Sequence, residues 1–208
     1  MSPPLRHPIV FGVLGGIASG KSRVARLLAG EGGVVLAADD LAQAALDSPT
    51  VQALLRQEFG ASAVAPDGRT DRKVLSERIF GDPAARRRLE GWIHPVVRER
   101  IFAGLAEARE QRAERIVLDV PLLLENAAQH ELVRECDHLV FVGAPAAERE
   151  RRAVAERSWR PGEVARREAT QLPLHEKRRR ADIVIENDGT LEELEAKIHD
   201  VLEAVYRT

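Results

Sequence analysis

Cysteine is almost missing from this chain, with Cys136 standing alone among 208 residues. A single thiol builds neither a disulfide framework nor a cysteine-rich metal site within one chain, which fits a reducing compartment. Long apolar runs are missing too. None approaches the roughly 20 residues of a membrane span, and the opening Met1-Ser-Pro-Pro-Leu-Arg-His lacks the apolar core of a signal peptide. The simplest expectation is a cytoplasmic protein with no membrane partner. Charge of one sign is also lacking: the net value is −2, so no global basic field announces a nucleic-acid partner. The six histidines are scattered without an H-E-x-x-H pairing, and none is assigned to a metal. No repeat, low-complexity tract or obligate-partner surface is evident.

What is present is decisive. Gly15-Gly16-Ile17-Ala18-Ser19-Gly20-Lys21-Ser22 follows the apolar run Ile9–Leu14 and precedes a helical stretch from Arg23 to Leu28. This is G-x-x-x-x-G-K-[ST] in its strand-loop-helix context, where backbone N–H groups and a helix N-terminus cradle polyphosphate. Lys21 would reach the β- and γ-phosphates, and Ser22 would offer its hydroxyl to a Mg²⁺ bridging them. The chain is expected to bind a nucleoside triphosphate.

Short β-branched runs at Ile9–Leu14, Val34–Ala37, Ile116–Val120, His138–Val142 and Asp182–Glu186 alternate with helical patterns. They predict an α/β fold with a five-stranded parallel sheet in one compact unit. A helical insertion separates the second and third strands. In it, Ser48-Pro49 and Asp82-Pro83 read as helix starts and Pro66-Asp67-Gly68-Arg69 as a turn. Thr190-Leu-Glu-Glu193 is a capping-box pattern opening the last helix.

Ligands of parallel sheets collect beyond the carboxyl ends of the strands. There the sequence places Asp39-Asp40 after the second strand, Asp119 at the third and Asn187-Asp188-Gly189 after the fifth. Asp119 closes Ile116-Val-Leu in the manner of a Walker B carboxylate and is a candidate for holding Mg²⁺. Asp39 is a candidate general base, and Asp40 a helix-start partner. From Gly143 to Arg180, 11 Arg or Lys face 6 Glu, a local excess of +5 that meets an anion or lies solvated. A nucleoside monophosphate kinase fits these features as well. A GTPase switch does not, because no Asn-Lys-x-Asp element occurs.

Leu14 to Ser22, Ala37-Ala38-Asp39, Asp71-Arg72, His94-Pro95, Pro121-Leu122-Leu123-Leu124-Glu125, Gln171-Leu172-Pro173 and Ala181-Asp182 through Asn187 together resemble dephospho-coenzyme A kinase, in order and along nearly the whole chain. The resemblance implies a three-layer P-loop kinase that moves the ATP γ-phosphate to the ribose 3′-hydroxyl of dephospho-coenzyme A. It implies a core of about 8–40, 115–143 and 181–208, an acceptor-binding helical insertion of about 41–114 and a helical lid of about 144–180. Under it, Asp39 is the base. Gly15, Gly16, Ile17, Ala18, Ser19, Gly20, Lys21, Ser22 and Asn187 bind ATP, with Asn187 near the adenine. Arg72, His94, Pro121, Leu122 and Glu125 line the acceptor cleft, and the lid arginine at the transferring phosphate is one of Arg151, Arg152 and Arg157, with Arg151 and Arg157 taken as the catalytic candidates. Ser22 and Asp119 would hold the metal. Two positions depart from the family's usual pattern: Ala37 replaces a first aspartate, and Ala18 a loop glycine.

Overall fold

The computed structural model describes residues 7–207. The expectation that the chain opens without a signal-peptide core falls largely on residues 1–6 and lies outside them. Alternation of apolar strands and amphipathic helices yields a parallel five-stranded sheet. Strand β1 (Ile9–Gly15) leads through the glycine-rich loop into α1 (Lys21–Ala29), then β2 (Gly33–Ala37). After the helical insertion come β3 (Arg115–Asp119), β4 (His138–Gly143) and β5 (Ile183–Glu186). The order is β2-β3-β1-β4-β5, every neighbour parallel. The five sequence-predicted strands are therefore present, with ends displaced by one residue at most.

Burial explains why β1 is central. Its burial is nearly continuous, as expected of a strand covered on both faces. Phe11 and Val13 of β1, Val117 of β3, Val140 and Val142 of β4 and Ile185 of β5 pack against Val24, Ala25 and Leu28 of α1. Leu194 and Ile198 of the last helix complete that layer. That helix starts as the capping box requires: Thr190 N–H donates to Glu193 Oε2 at 2.8 Å, and Glu193 N–H returns to Thr190 Oγ1 at 3.3 Å. On the other face, a Cβ at Gly12 would stand 2.7 Å from Cys136 Sγ and 2.9 Å from Leu123. Burial pushes the Cys136 thiol up to about 12, with the charges of Asp137 and Glu135 adding to the shift, so this lone cysteine is a packing residue with little thiolate.

The described chain forms two compact units. One holds the sheet and is built from the chain up to Ala37 and from Leu105 onward. The other, Ala38–Gly104, contains α2 (Ala38–Leu46), α3 (Pro49–Phe59), α4 (Arg72–Ile79) and most of α5 (Pro83–Glu110). Local chemistry starts these helices where the sequence predicts. Ser48 Oγ accepts from the Val51 N–H ahead of Pro49, and Asp82 Oδ1 accepts from Ala84 and Ala85 N–H, both at 2.9 Å. Gly68, at φ +81°, closes the Ala65–Arg69 turn. Val51, Leu55, Phe59, Leu75 and Leu89 form this unit's own core, and Trp92 packs edge-on to Phe59, which makes it a structural aromatic. Pro95 lies inside α5, where it removes one ladder bond beside His94. Among the described residues, no helix is long and apolar enough to cross a membrane.

Candidate active site

The loop between β1 and α1 sits at the carboxyl end of the central strand. It folds as the motif demands. Gly20 takes φ +93°, and a Cβ there would lie 2.2 Å from Asn187 Nδ2, so a side chain is excluded by both conformation and contact. Ala18 adopts φ +57°, the left-handed region, at a cost of about 1–2 kcal/mol for a non-glycine residue. The substitution at position 18 thus keeps the loop shape at the expense of strain. Helix α1 begins at Lys21, two residues earlier than the sequence pattern suggests, and no side chain caps it. Uncapped first-turn N–H groups plus the helix dipole form a ready anion site.

Lys21 Nζ folds back to donate to the Gly16 carbonyl at 2.7 Å. Burial lowers its pKa from 10.5 to about 8, Asp119 opposes that shift, and Lys177 and Arg157 add to it. Asp119, the last residue of β3, is therefore one of the charges acting on this lysine. A bound polyanion would restore the lysine's proton. ATP affinity should then fall as pH rises through about 8, approaching tenfold per pH unit well above it. Calorimetry in buffers of different ionisation enthalpy should show proton uptake on binding near pH 8.5 and little at pH 7. For stability the sign is opposite. Between about 8 and 10.5 the unfolded chain holds more protons on this group, so its contribution to stability rises with pH.

Helix α7 (Ala146–Arg157) brings Arg149 and Arg152 to the loop. Arg149 is buried and donates to the Ile17 carbonyl at 3.4 Å, while Arg152 donates to the Ser19 and Asn187 carbonyls at 3.4 and 3.3 Å. Arg151 pairs with Glu148 at 2.7 Å, with its side chain 68% exposed. The reason is helical: at about 100° per residue, positions 149 and 152 share a face and 151 points elsewhere. Arg157 is near enough to influence Lys21 and lies 5.2 Å over the Trp159 ring, which also carries Arg167 at 4.2 Å. The charge excess of this segment is partly laced internally, through Glu163 to Arg166 and Arg167 in α8 (Glu163–Glu168) and through Glu176 to Arg179 in α9 (Leu174–Arg179).

Two further site candidates make defined contacts. Asn187 is buried, and its Nδ2 donates to the Ser19 carbonyl at 2.8 Å, so its side chain braces the loop. Glu125 Oε1 takes the buried Lys177 at 2.8 Å and the Leu172 N–H at 3.2 Å, which ties it to the Gln171-Leu172-Pro173 run. Gln171 Oε1 takes a second bond from Lys177 at 3.1 Å. A buried lysine needs such partners. Pro121 and Leu122 are exposed, and Leu122 holds φ +56°. Beside the loop, a cavity of about 390 Å³ is lined by Gly16, Pro145, Arg149, His175, Arg178 and Asp188, among others.

The remaining candidates belong to the Ala38–Gly104 unit. Strand β2 stops at Ala37, so Asp39 and Asp40 are both exposed first-turn residues of α2 and not strand ends. Arg72 opens α4 and donates to Gln43 Oε1 at 2.8 Å, behind Asp71, whose carboxylate caps the helix. His94 is exposed on α5.

A parallel sheet of this order, with a G-x-x-x-x-G-K-S loop leaving its central strand, defines a P-loop kinase of the α/β class. A family model described as dephospho-CoA kinase matches residues 9–193. Dephospho-CoA kinase of Anaeromyxobacter dehalogenans is 41% identical over 194 residues, which cover 93% of this chain and 90% of that protein. The Thermus thermophilus enzyme of the same name is 38% identical over 202 residues, 97% and 94% of the two chains. A crystal structure from Thermus thermophilus superposes with a TM-score of 0.72 at 37% identity, over 96% of this chain and 98% of that one. Dephospho-CoA kinase from Campylobacter jejuni shares the fold, with a TM-score of 0.70 at 20% identity, covering 96% and 98%. The chain belongs to the dephospho-CoA kinase family.

Proposed function

We propose that this protein transfers the γ-phosphate of ATP to the ribose 3′-hydroxyl of dephospho-coenzyme A, giving coenzyme A and ADP. The observation that carries the donor half is Lys21, half-buried at an uncapped helix start with Asp119, Arg157 and Lys177 acting on it. Family membership supports the acceptor half. The 3′-oxygen attacks the γ-phosphorus, the bond to the bridging β,γ-oxygen breaks, and ADP leaves with that electron pair. Asp39 takes the hydroxyl proton. Lys21 and Arg157 neutralise charge that grows on the transferring group, the main demand of phosphoryl transfer.

Segment 144–180 serves as the lid, and 41–114, with Arg72 and His94, as the acceptor-binding part. Exposed Leu122, 37% accessible, and Pro121 offer apolar surface to the acceptor. Ser22 and Asp119 are hard oxygen donors. Among the described residues no group of three His, Cys, Asp or Glu gathers to hold an ion, and a two-oxygen set suits Mg²⁺, which takes its other ligands from phosphate and water. Such an ion would supply neutralisation of the β,γ-oxygens when bound. A cytoplasmic location is the reading that ATP use and a single cysteine support.

ADP release should depend on dephospho-coenzyme A and not on AMP, CMP or adenosine; equal stimulation by a nucleoside monophosphate would overturn the acceptor assignment. Arg157→Ala should lower kcat by tenfold or more while ATP affinity moves only a few-fold, because its contribution grows as charge moves in the transition state. Arg151→Ala, on the outward face, should have the smaller effect. Steady-state kinetics with parallel binding titrations check both.

A further inference from the structure

The phosphate loop carries an acid that the transfer chemistry does not use. Glu168, the last residue of α8, places Oε1 2.8 Å from the Ile17 nitrogen and 2.5 Å from Arg149 Nη1. The contact is largely enclosed, with the Arg149 and Glu168 side chains 8% and 17% exposed. Gly16 makes room for it. A Cβ at that position would stand 2.7 Å from Arg149 Nη1 and 2.8 Å from Glu168 Oε1, so a guanidinium and a carboxylate rest on bare loop backbone. Glu168 thereby accepts from an N–H inside the G-x-x-x-x-G stretch, as a phosphate oxygen would.

The surroundings are those of a polyanion site. Arg157, Lys177 and Glu168 all act on the charge of Lys21, while Arg149 and Arg152 hold loop carbonyls. A triphosphate entering here meets Glu168 as a like charge already bound to two of the available donors. Arg149 has other anchors: its Nε donates to the Ala144 carbonyl at 3.2 Å and its Nη1 reaches the Ile17 carbonyl at 3.4 Å. The guanidinium therefore stays beside the loop when the carboxylate leaves.

We propose that Glu168 is an internal stand-in for a nucleotide phosphate, holding the Ile17 N–H and Arg149 in the nucleotide-free protein and surrendering both when ATP binds. The inference rests on the loop being the ATP site. Two consequences follow from competition for the same donors. Apparent ATP affinity is reduced by the fraction of molecules in the latched state, and α8 is released from the loop by the nucleotide itself. Arg149 then exchanges a carboxylate for a phosphate partner without a new side chain having to arrive.

The test is calorimetric titration of the whole protein with MgATP, comparing wild type with Glu168→Gln and Glu168→Ala, alongside hydrogen exchange of residues 163–168 in the wild type. The expected result is ATP binding tighter by about three- to tenfold in both variants, and faster exchange in α8 of the wild type when ATP is added. Unchanged or weaker ATP binding in the variants would overturn the latch and make Glu168 a brace of the bound state. Slower exchange in α8 on adding ATP would do the same, and it decides the matter even if Glu168→Ala does not fold. Failure of the wild type to bind ATP at all would instead remove the ATP-site reading, and the latch with it.

Discussion

Lys21→Ala is expected to lose more than about a hundredfold in turnover, the scale for one preorganised electrostatic donor. The side chain is half-buried. Its visible bonds are to loop carbonyls, to Gly16 at 2.7 Å and to Gly15 at 3.5 Å. Burial drags its pKa down to about 8, which means the folded protein tolerates this charge rather than gaining from it. Removing it should therefore leave the melting temperature at pH 7 unchanged or slightly raised, while removing the charge that would meet the β- and γ-phosphates. Coupled-assay kinetics and a thermal melt on the same preparation separate the two effects. Near-wild-type turnover would contradict the role given to the loop, and a collapsed melt would show Lys21 to be structural.

Asp39→Asn should lower kcat by about 10² to 10⁴, the usual share of a positioned general base. Asparagine keeps the size of the side chain and part of its compatibility with the first turn of α2, yet it cannot accept the 3′-hydroxyl proton. Affinities for ATP and for dephospho-coenzyme A should stay within a few-fold of wild type. Asp40→Asn is the matched control, one residue further along the same exposed first turn. Normal turnover of Asp39→Asn together with a dead Asp40→Asn or Asp119→Asn would move the base while leaving a kinase.

The parts of this molecule legible in the sequence are those set by short-range chemistry. Strand positions follow from β-branched apolar runs, and helix starts follow from Ser48, Asp82 and the Thr190–Glu193 box, because caps act within three or four residues. The phosphate loop was legible because its glycines answer local backbone needs, Gly20 at φ +93° above all. What was not legible depends on pairing between residues 47 to 168 positions apart. Asn187 reads as a polar strand end, but only the fold places its amide on the Ser19 carbonyl. Nothing near Glu125 in sequence signals that Lys177 pairs with it. Helical phase could have favoured Arg149 and Arg152 over Arg151, had one known which face of α7 meets the loop. Nothing in the local pattern distinguishes Glu168 from the other acids of a charged helix; its partner Ile17 is 151 residues away.

The most direct measurement is the position of the new phosphate on the product formed from ATP and dephospho-coenzyme A, read by phosphorus–proton coupling in NMR. Transfer to the adenosine ribose is predicted, with the coupling at the 3′ position and one ADP formed per product. Phosphate on any other oxygen, or ADP formed without a phosphorylated acceptor, would contradict the assignment.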